Sequence, residues 1–373
     1  MALPRDQWLL VRIRTQDGLS GWGEITGSCD DGAVASLLSS LAESLSGKDL
    51  LAIRDCCSLL ENWRYPVVRT IRTVSTALSG LNQALWDLTA RYYGVPLYKL
   101  YGADGVDSIP LYANLNKALW GDRSPDSLQR NGAAALAEGF SMVKCTPFDE
   151  VIPTQMDQNM GPALDRIQAL AEAVPFAQIA IDCHQRFQGY TLERAMEAIT
   201  RRWGVPYWME DPVPADDFAS MKRVRASFPT VRWAAGEDSL CPKAMMTLAN
   251  SGCYEILMPD VKYIGGPDAV RALIPVLESL NFKMTLHNPN GIIATAHSAH
   301  LSALVGSGAP MEYPYGAVEK RECLCEPAEQ IQKGRYYFLD RPGIGLDLSE
   351  QTLTRYGTCF RDGRWTTYKE DSV

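Results

Sequence analysis

The sequence predicts an α/β protein built on a (β/α)8-type TIM barrel, and three observations carry that reading. From residue 109 onward, eight short apolar runs alternate with helical patterns, as parallel strands joined by crossover helices do. The units end in ionisable residues: Lys144 is followed by Asp182, Glu210, Glu237, Asp260, His287 and Glu312 at intervals of 23 to 38 residues, about one βα unit each. The length of 373 residues exceeds a single barrel of about 250, so a second, smaller domain is expected. An open doubly wound sheet is the competing topology.

Along the chain, Trp8 to Arg14 alternates on a strand period, Gly18 to Gly23 (GLSGWG) supplies turn residues, and Ala33 to Leu45 is patterned as an amphipathic helix. A second helix, Ser75 to Tyr93, stops at Gly94 and Pro96, and residues 97–108 read as a connector. The barrel strands are expected at Pro110 to Ala113, Ser141 to Lys144, Ile179 to Ile181, Tyr207 to Met209, Trp233 to Ala235, Glu255 to Met258, Lys283 to Leu286 and Pro310 to Met311. Helical patterns such as Leu192 to Trp203 and Pro267 to Leu280 separate them. One strand-end carboxylate is often the N-cap of the next helix, but six ionisable residues in phase mark the C-terminal mouth, where barrel enzymes keep their chemistry.

Composition narrows the class further. With 44 acidic against 36 basic residues and no cationic stripe, the chain is not a nucleic-acid scaffold. The start, MALPRDQWLLVRIRT, lacks an apolar core of signal-peptide length, and no 18 apolar residues run together, so a soluble cytoplasmic protein with no membrane partner is expected. Ten cysteines without a C-x-x-C pair read as free thiols. Of the four histidines, His297 and His300 fall in the helix after the seventh strand and read as packing or surface residues.

The motifs GLSGWGE (18–24), SGLNQALWDLTARYYGVPLYKLYG (79–102), MVKC (142–145), IDCH (181–184), WMEDP (208–212), AAGED (234–238), MPDVKYIGG (258–266), LHNPNG (286–291) and MEYP (311–314) together resemble the mandelate racemase subgroup of the enolase superfamily. The resemblance spans nearly the whole chain. It implies an α+β capping domain formed by the N-terminal segment and the C-terminal tail, which divides the chain into residues 1–104, a barrel at 105–325 and a returning segment at 326–373. It also implies a further N-terminal strand ahead of Trp8, so a shortened or late-started chain is expected. Asp182, Glu210 and Glu237 resemble the family's metal ligands, and three hard oxygen donors suit one Mg²⁺ per subunit. His287 and Asp260 resemble its His-Asp dyad, with the carboxylate fixing the imidazole tautomer for proton abstraction next to a substrate carboxylate. Glu312 resembles the acid that, protonated, hydrogen-bonds a substrate carboxylate oxygen. Asp211 and Asp238 are expected to support the metal ligands or cap helices, and the loop from Glu24 to Asp31 to be the lid contact over the substrate.

One departure narrows the reaction. Racemases of the subgroup carry Lys-x-Lys on the second strand, whereas this chain has Lys144-Cys145-Thr146, and a threonine at the second position disfavours a two-base racemase. Lys144 fits a cation that neutralises the enolate and stays open as a base; His184 and Lys262 start on the same faces as Asp182 and Asp260 and are expected to meet substrate or a leaving group. One base and several extra polar groups fit β-elimination from an acid sugar to a 2-keto-3-deoxy acid. The expected substrate is an aldonate or aldarate, galactarate among them, since Lys144, Lys262 and His184 can meet a second carboxylate. A racemase, epimerase or cycloisomerase using the same enolate is the alternative, and a non-catalytic barrel subunit the remote one. Leu111-Tyr112-Ala113 offers no paired histidines for a zinc hydrolase. A homo-oligomer, dimer to octamer, is expected.

Overall fold

The computed structural model describes residues 8–26, 30–49, 71–116, 122–306, 310–316, 321, 324–361 and 364–367. The chain opens with an antiparallel pair, β1 (Leu10–Arg14) and β2 (Ser20–Glu24). The helix Asp31–Leu45 follows, capped by the Asp30 side chain on the Ala33 amide, and then the long helix Arg72–Tyr92. GLSGWG is thus only partly a turn. Gly18 turns the chain with φ of 94°, but Gly21 and Gly23 lie inside β2 facing the long helix, where a Cβ would sit 2.3 Å from the Ala84 carbonyl oxygen and 2.1 Å from that of Gly80. Strand periodicity puts both glycines on one face, so they let two backbones touch.

Eight parallel strands follow: β3 (Ser108–Asn114), β4 (Val143–Cys145), β5 (Ile179–Asp182), β6 (Trp208–Glu210), β7 (Trp233–Ala235), β8 (Ile256–Leu257), β9 (Lys283–Met284) and β10 (Met311–Pro314). They pair in sequence from β3 to β9, and β10 returns to pair with β3, which is the barrel order. Between β9 and β10, among the described residues, side chains bridge the seam in place of a ladder: Thr285 donates to the Pro310 carbonyl at 2.8 Å, and Glu312 accepts the Asn288 amide at 2.8 Å. Inside the barrel, Tyr112, Met142, Ala180, Trp208, Ala234, Ile256 and Met258 form a buried layer, while a larger apolar core lies between strands and helices. A hairpin, β11 (Gln330–Gln332) with β12 (Arg335–Tyr337), adds antiparallel to the start of β3.

The C-terminal segment then reaches the N-terminal domain. Buried Asp87 of the long helix accepts the amides of Trp22 and Ile344, each at 2.8 Å, and pairs with Arg91, which also holds Asp347 at 2.7 Å. His297 and His300 lie in the helix Ile292–Ser302 and are buried, not superficial: His297 contacts the Trp22 carbonyl at 2.8 Å, and His300 accepts the Tyr98 amide at 2.9 Å and faces the Ile344 carbonyl at 3.2 Å. No helix among the described residues is long and apolar enough to cross a membrane. Cys145, Cys183, Cys241, Cys253, Cys325 and Cys359 are free thiols, and the other four cysteines lie outside the described residues.

Candidate active site

Each barrel strand delivers its polar residue to the same mouth. Asp182 and Glu210 close β5 and β6 side by side in register, and Glu237 follows β7 by two residues. One oxygen from each of the three carboxylates lies within 4.8 Å of the others. Tight turns follow the first two. His184, Gln185 and Asp211 take φ of 45°, 58° and 38°, a left-handed conformation uncommon outside glycine, and the Gln185 amide donates to the Asp211 carbonyl at 2.6 Å.

Lys144 on β4 stands within this acidic group, 2.7 Å from Glu210, 2.9 Å from Glu312 and 3.8 Å from Asp182, and is fully buried. Burial alone would depress its ammonium, but Glu210, Glu312 and the other acids around it raise it well above the usual lysine value, so it stands here as a cation. Glu210 is pushed up to about 8 by burial, with Asp182, Glu312 and Glu237 adding to the effect and Lys144 opposing it. His287 lies between two carboxylates, Nδ1 at 3.0 Å from Asp260 and Nε2 at 2.8 Å from Glu237. Burial would lower its pKa, but Glu237, Glu312 and Asp260 raise it well above 6.5. His184 is nearly half exposed, with Nε2 at 3.0 Å from Asp182.

The expected residues divide into two groups. Lys144, Asp182, His184, Glu210, Glu237, Asp260, His287 and Glu312 lie in one network at the mouth. Glu24, Lys262 and Thr146 are turned to protein partners instead. Glu24, expected beside the substrate, is buried and accepts the amides of Gly291 and Ala294 at 2.8 and 2.9 Å, capping the helix Ile292–Ser302 where the dipole favours an anion. Within the expected lid loop, residues 27–29 lie outside the described residues. Lys262 is buried with its ammonium 2.6 Å from the Thr26 carbonyl and 3.1 Å from the Tyr263 hydroxyl, which ties the N-terminal domain to the barrel. The Thr146 hydroxyl accepts from Asn116 at 2.7 Å.

Glu312 accepts from Lys144 at 2.9 Å, from Asn114 at 2.5 Å and from the Asn288 amide at 2.8 Å. Asp211 is buried beside the triad, and Asp238 pairs at 2.9 Å with Arg72 of the long helix. Asn114, Asn288 and Asn290 were not singled out, although Asn288 and Asn290 lie in LHNPNG. Asn290 spans both Asp260 oxygens at 3.3 and 3.2 Å. A search for ionisable residues passes over neutral amides.

The triad fits a divalent cation. Its donors are all carboxylate oxygens, and the burial and neighbouring acids that raise the pKa of Glu210 disfavour its charge, which such an ion would stabilise.

A barrel with this acidic triad facing a His-Asp dyad, closed by a domain built from both chain ends, is the arrangement of the enolase superfamily. The chain matches the family described as mandelate racemase / muconate lactonizing enzyme, N-terminal domain, over residues 2–102, and enolase C-terminal domain-like over residues 128–352; it belongs to this family. Among its relatives, the D-gluconate dehydratase of Thermoproteus tenax is 27% identical over 355 residues, covering 93% of this chain and 69% of the relative. The D-galactonate dehydratase of Variovorax paradoxus is 26% identical over 357 residues, covering 93% and 90%. A solved enolase-superfamily member from Salmonella Typhimurium shares the fold with a TM-score of 0.81 at 23% identity, over 92% of this chain and 93% of that one.

Proposed function

We propose that this protein is a Mg²⁺-dependent acid-sugar dehydratase. It removes the proton next to a substrate carboxylate and eliminates the neighbouring hydroxyl to give a 2-keto-3-deoxy acid. The observation that carries the reading is the placement of Asp182, Glu210 and Glu237 in one barrel mouth with the His287–Asp260 pair. When bound by the triad, Mg²⁺ supplies the positive charge that stabilises an enediolate. His287 is the base: Asp260 on Nδ1 sets the tautomer, and Nε2, which faces Glu237 at 2.8 Å here, would take the proton once the cation engages that carboxylate. Lys144 adds a buried cation beside the carboxylates, which supports enolate neutralisation. His184, more exposed and in the turn after β5, delivers a proton to the departing hydroxyl.

The Thr146 hydroxyl, engaged by Asn116, supports a single-base elimination over a two-base racemisation. The relatives are named for aldonates, which carry one carboxylate, and the tie of Lys262 to Thr26 removes one of the three groups expected to meet a second carboxylate. An aldonate is therefore favoured over galactarate. The expectation of a cytoplasmic homo-oligomer belongs to this proposal, and light scattering of the purified protein tests the assembly.

Incubating the enzyme and Mg²⁺ with a library of aldonic and aldaric acids, and assaying 2-keto-3-deoxy product, tests the reading; no turnover across the library overturns it. His287→Asn is expected to lower turnover at least 100-fold, a loss on the scale of general-base catalysis, while Mg²⁺ binding persists. Surviving activity would move the base to Lys144.

A further inference from the structure

Glu210 is held by two donors. Lys144 takes Oε1 at 2.7 Å, and from the barrel interior the indole N–H of Trp208 donates to Oε2 at 3.1 Å. Trp208 stands two residues earlier on β6, so strand alternation points both side chains inward. Its ring is fully packed, edge-on to Tyr112 with centroids 5.3 Å apart, in the layer beneath the mouth. An acceptor stabilises a buried indole N–H, and the Glu210 carboxyl oxygen provides one here.

Trp233, on the next strand, is just as buried, but its indole N–H meets no acceptor among the described residues. Burial is common to both tryptophans; the bond to a metal-ligating carboxylate belongs to Trp208. From this we infer that Trp208 is a positioning residue for the metal site: its N–H fixes the plane of the Glu210 carboxylate, so the ligand is presented to the cation without being reoriented. The inference rests on the reading of Asp182, Glu210 and Glu237 as a Mg²⁺ site.

The test is Mg²⁺ binding by calorimetry to the full-length protein, after removal of metal with EDTA, for wild type, Trp208→Phe and Trp233→Phe. Loss of a group that orients a metal ligand weakens metal affinity by about 10–100-fold, and that loss is expected for W208F, with W233F within about twofold of wild type. Unfolding of each variant in EDTA separates positioning from packing. A W208F protein that unfolds earlier yet binds Mg²⁺ as wild type does overturns the inference. Should W208F not fold, 3-benzothienylalanine at position 208, the same shape with sulfur in place of N–H, makes the same comparison. Wild type that binds no Mg²⁺ overturns the metal-site reading, and this inference with it. Wild-type binding with an unaltered affinity in the 208 variant overturns the inference alone.

Discussion

His300 shows how one side chain can be committed to a single protonation state. Its Nδ1 accepts the Tyr98 amide, which a protonated ring cannot do, and Nε2 faces the Ile344 carbonyl. Burial drives its pKa down to about 3, and that of His297, near Arg91, down to about 4. Both are neutral in the folded protein, whereas an unfolded chain takes up protons below about pH 6.5. Their contribution to stability is therefore complete above about pH 6.5 and is lost as pH falls toward 4 and 3, at up to about 1.4 kcal/mol per pH unit for each. Urea unfolding at pH 7 and pH 5 should show a larger loss for wild type than for a His297→Asn/His300→Asn variant, by about 2–4 kcal/mol; parallel losses would refute the assignment. In the sequence the two histidines were recognisable as non-catalytic by their place outside the strand-end series. Their partners, Trp22, Tyr98 and Ile344, were not, because none is close in sequence.

At the scale of elements, the contact of β2 with the long helix depends on residues without side chains. Gly23→Ala places a methyl 2.1 Å from the Gly80 carbonyl oxygen, and neither backbone has room to withdraw. A loss of about 1–3 kcal/mol is expected, the range for overpacking a tight contact. Gly161→Ala is the contrasting case: beyond its chain neighbours nothing lies within 4 Å of the new methyl, and the helix-propensity gain is offset by the following Pro162, so the change should stay within about 1 kcal/mol of wild type. Denaturant midpoints of the two variants check both expectations. Glycine at 21 and 23 is read from sequence as punctuation, since the competing use, close backbone approach, depends on a helix some 60 residues further on. The barrel strands were more legible because each repeats a local pattern of apolar run, polar end and helix. Where strands proved short, as at β8 and β9, parallel backbone bonds continue past them, from Met258 to Ala235 at 2.9 Å and from His287 to Pro259 at 3.2 Å.

For the molecule as a whole, the active-site mouth and the domain that covers it are joined by buried polar groups. Asp87 gathers Trp22, Arg91 and Ile344, Glu24 caps a barrel helix, and Lys262 holds Thr26. Asp87→Ala removes the acceptor of two buried amides and leaves Arg91 to Asp347, and is expected to cost about 2–4 kcal/mol, measurable by chemical unfolding. Phase along the chain was sufficient to place the metal and dyad residues at one mouth. It was insufficient for Glu24 and Lys262, since whether a charged residue faces substrate or a neighbouring domain is decided by segments more than 200 residues away.

The bond between Asp87 and the Ile344 amide spans 257 residues. A ribosome adding about 5–20 residues per second would take roughly 13–50 s to travel that distance. Throughout that time Asp87 and Arg91 have each other and Trp22, while Ile344 and Asp347 have yet to be synthesised. The barrel's own strands are made in between. Chain growth thus supplies the last partners of the long helix only after the barrel strands have emerged.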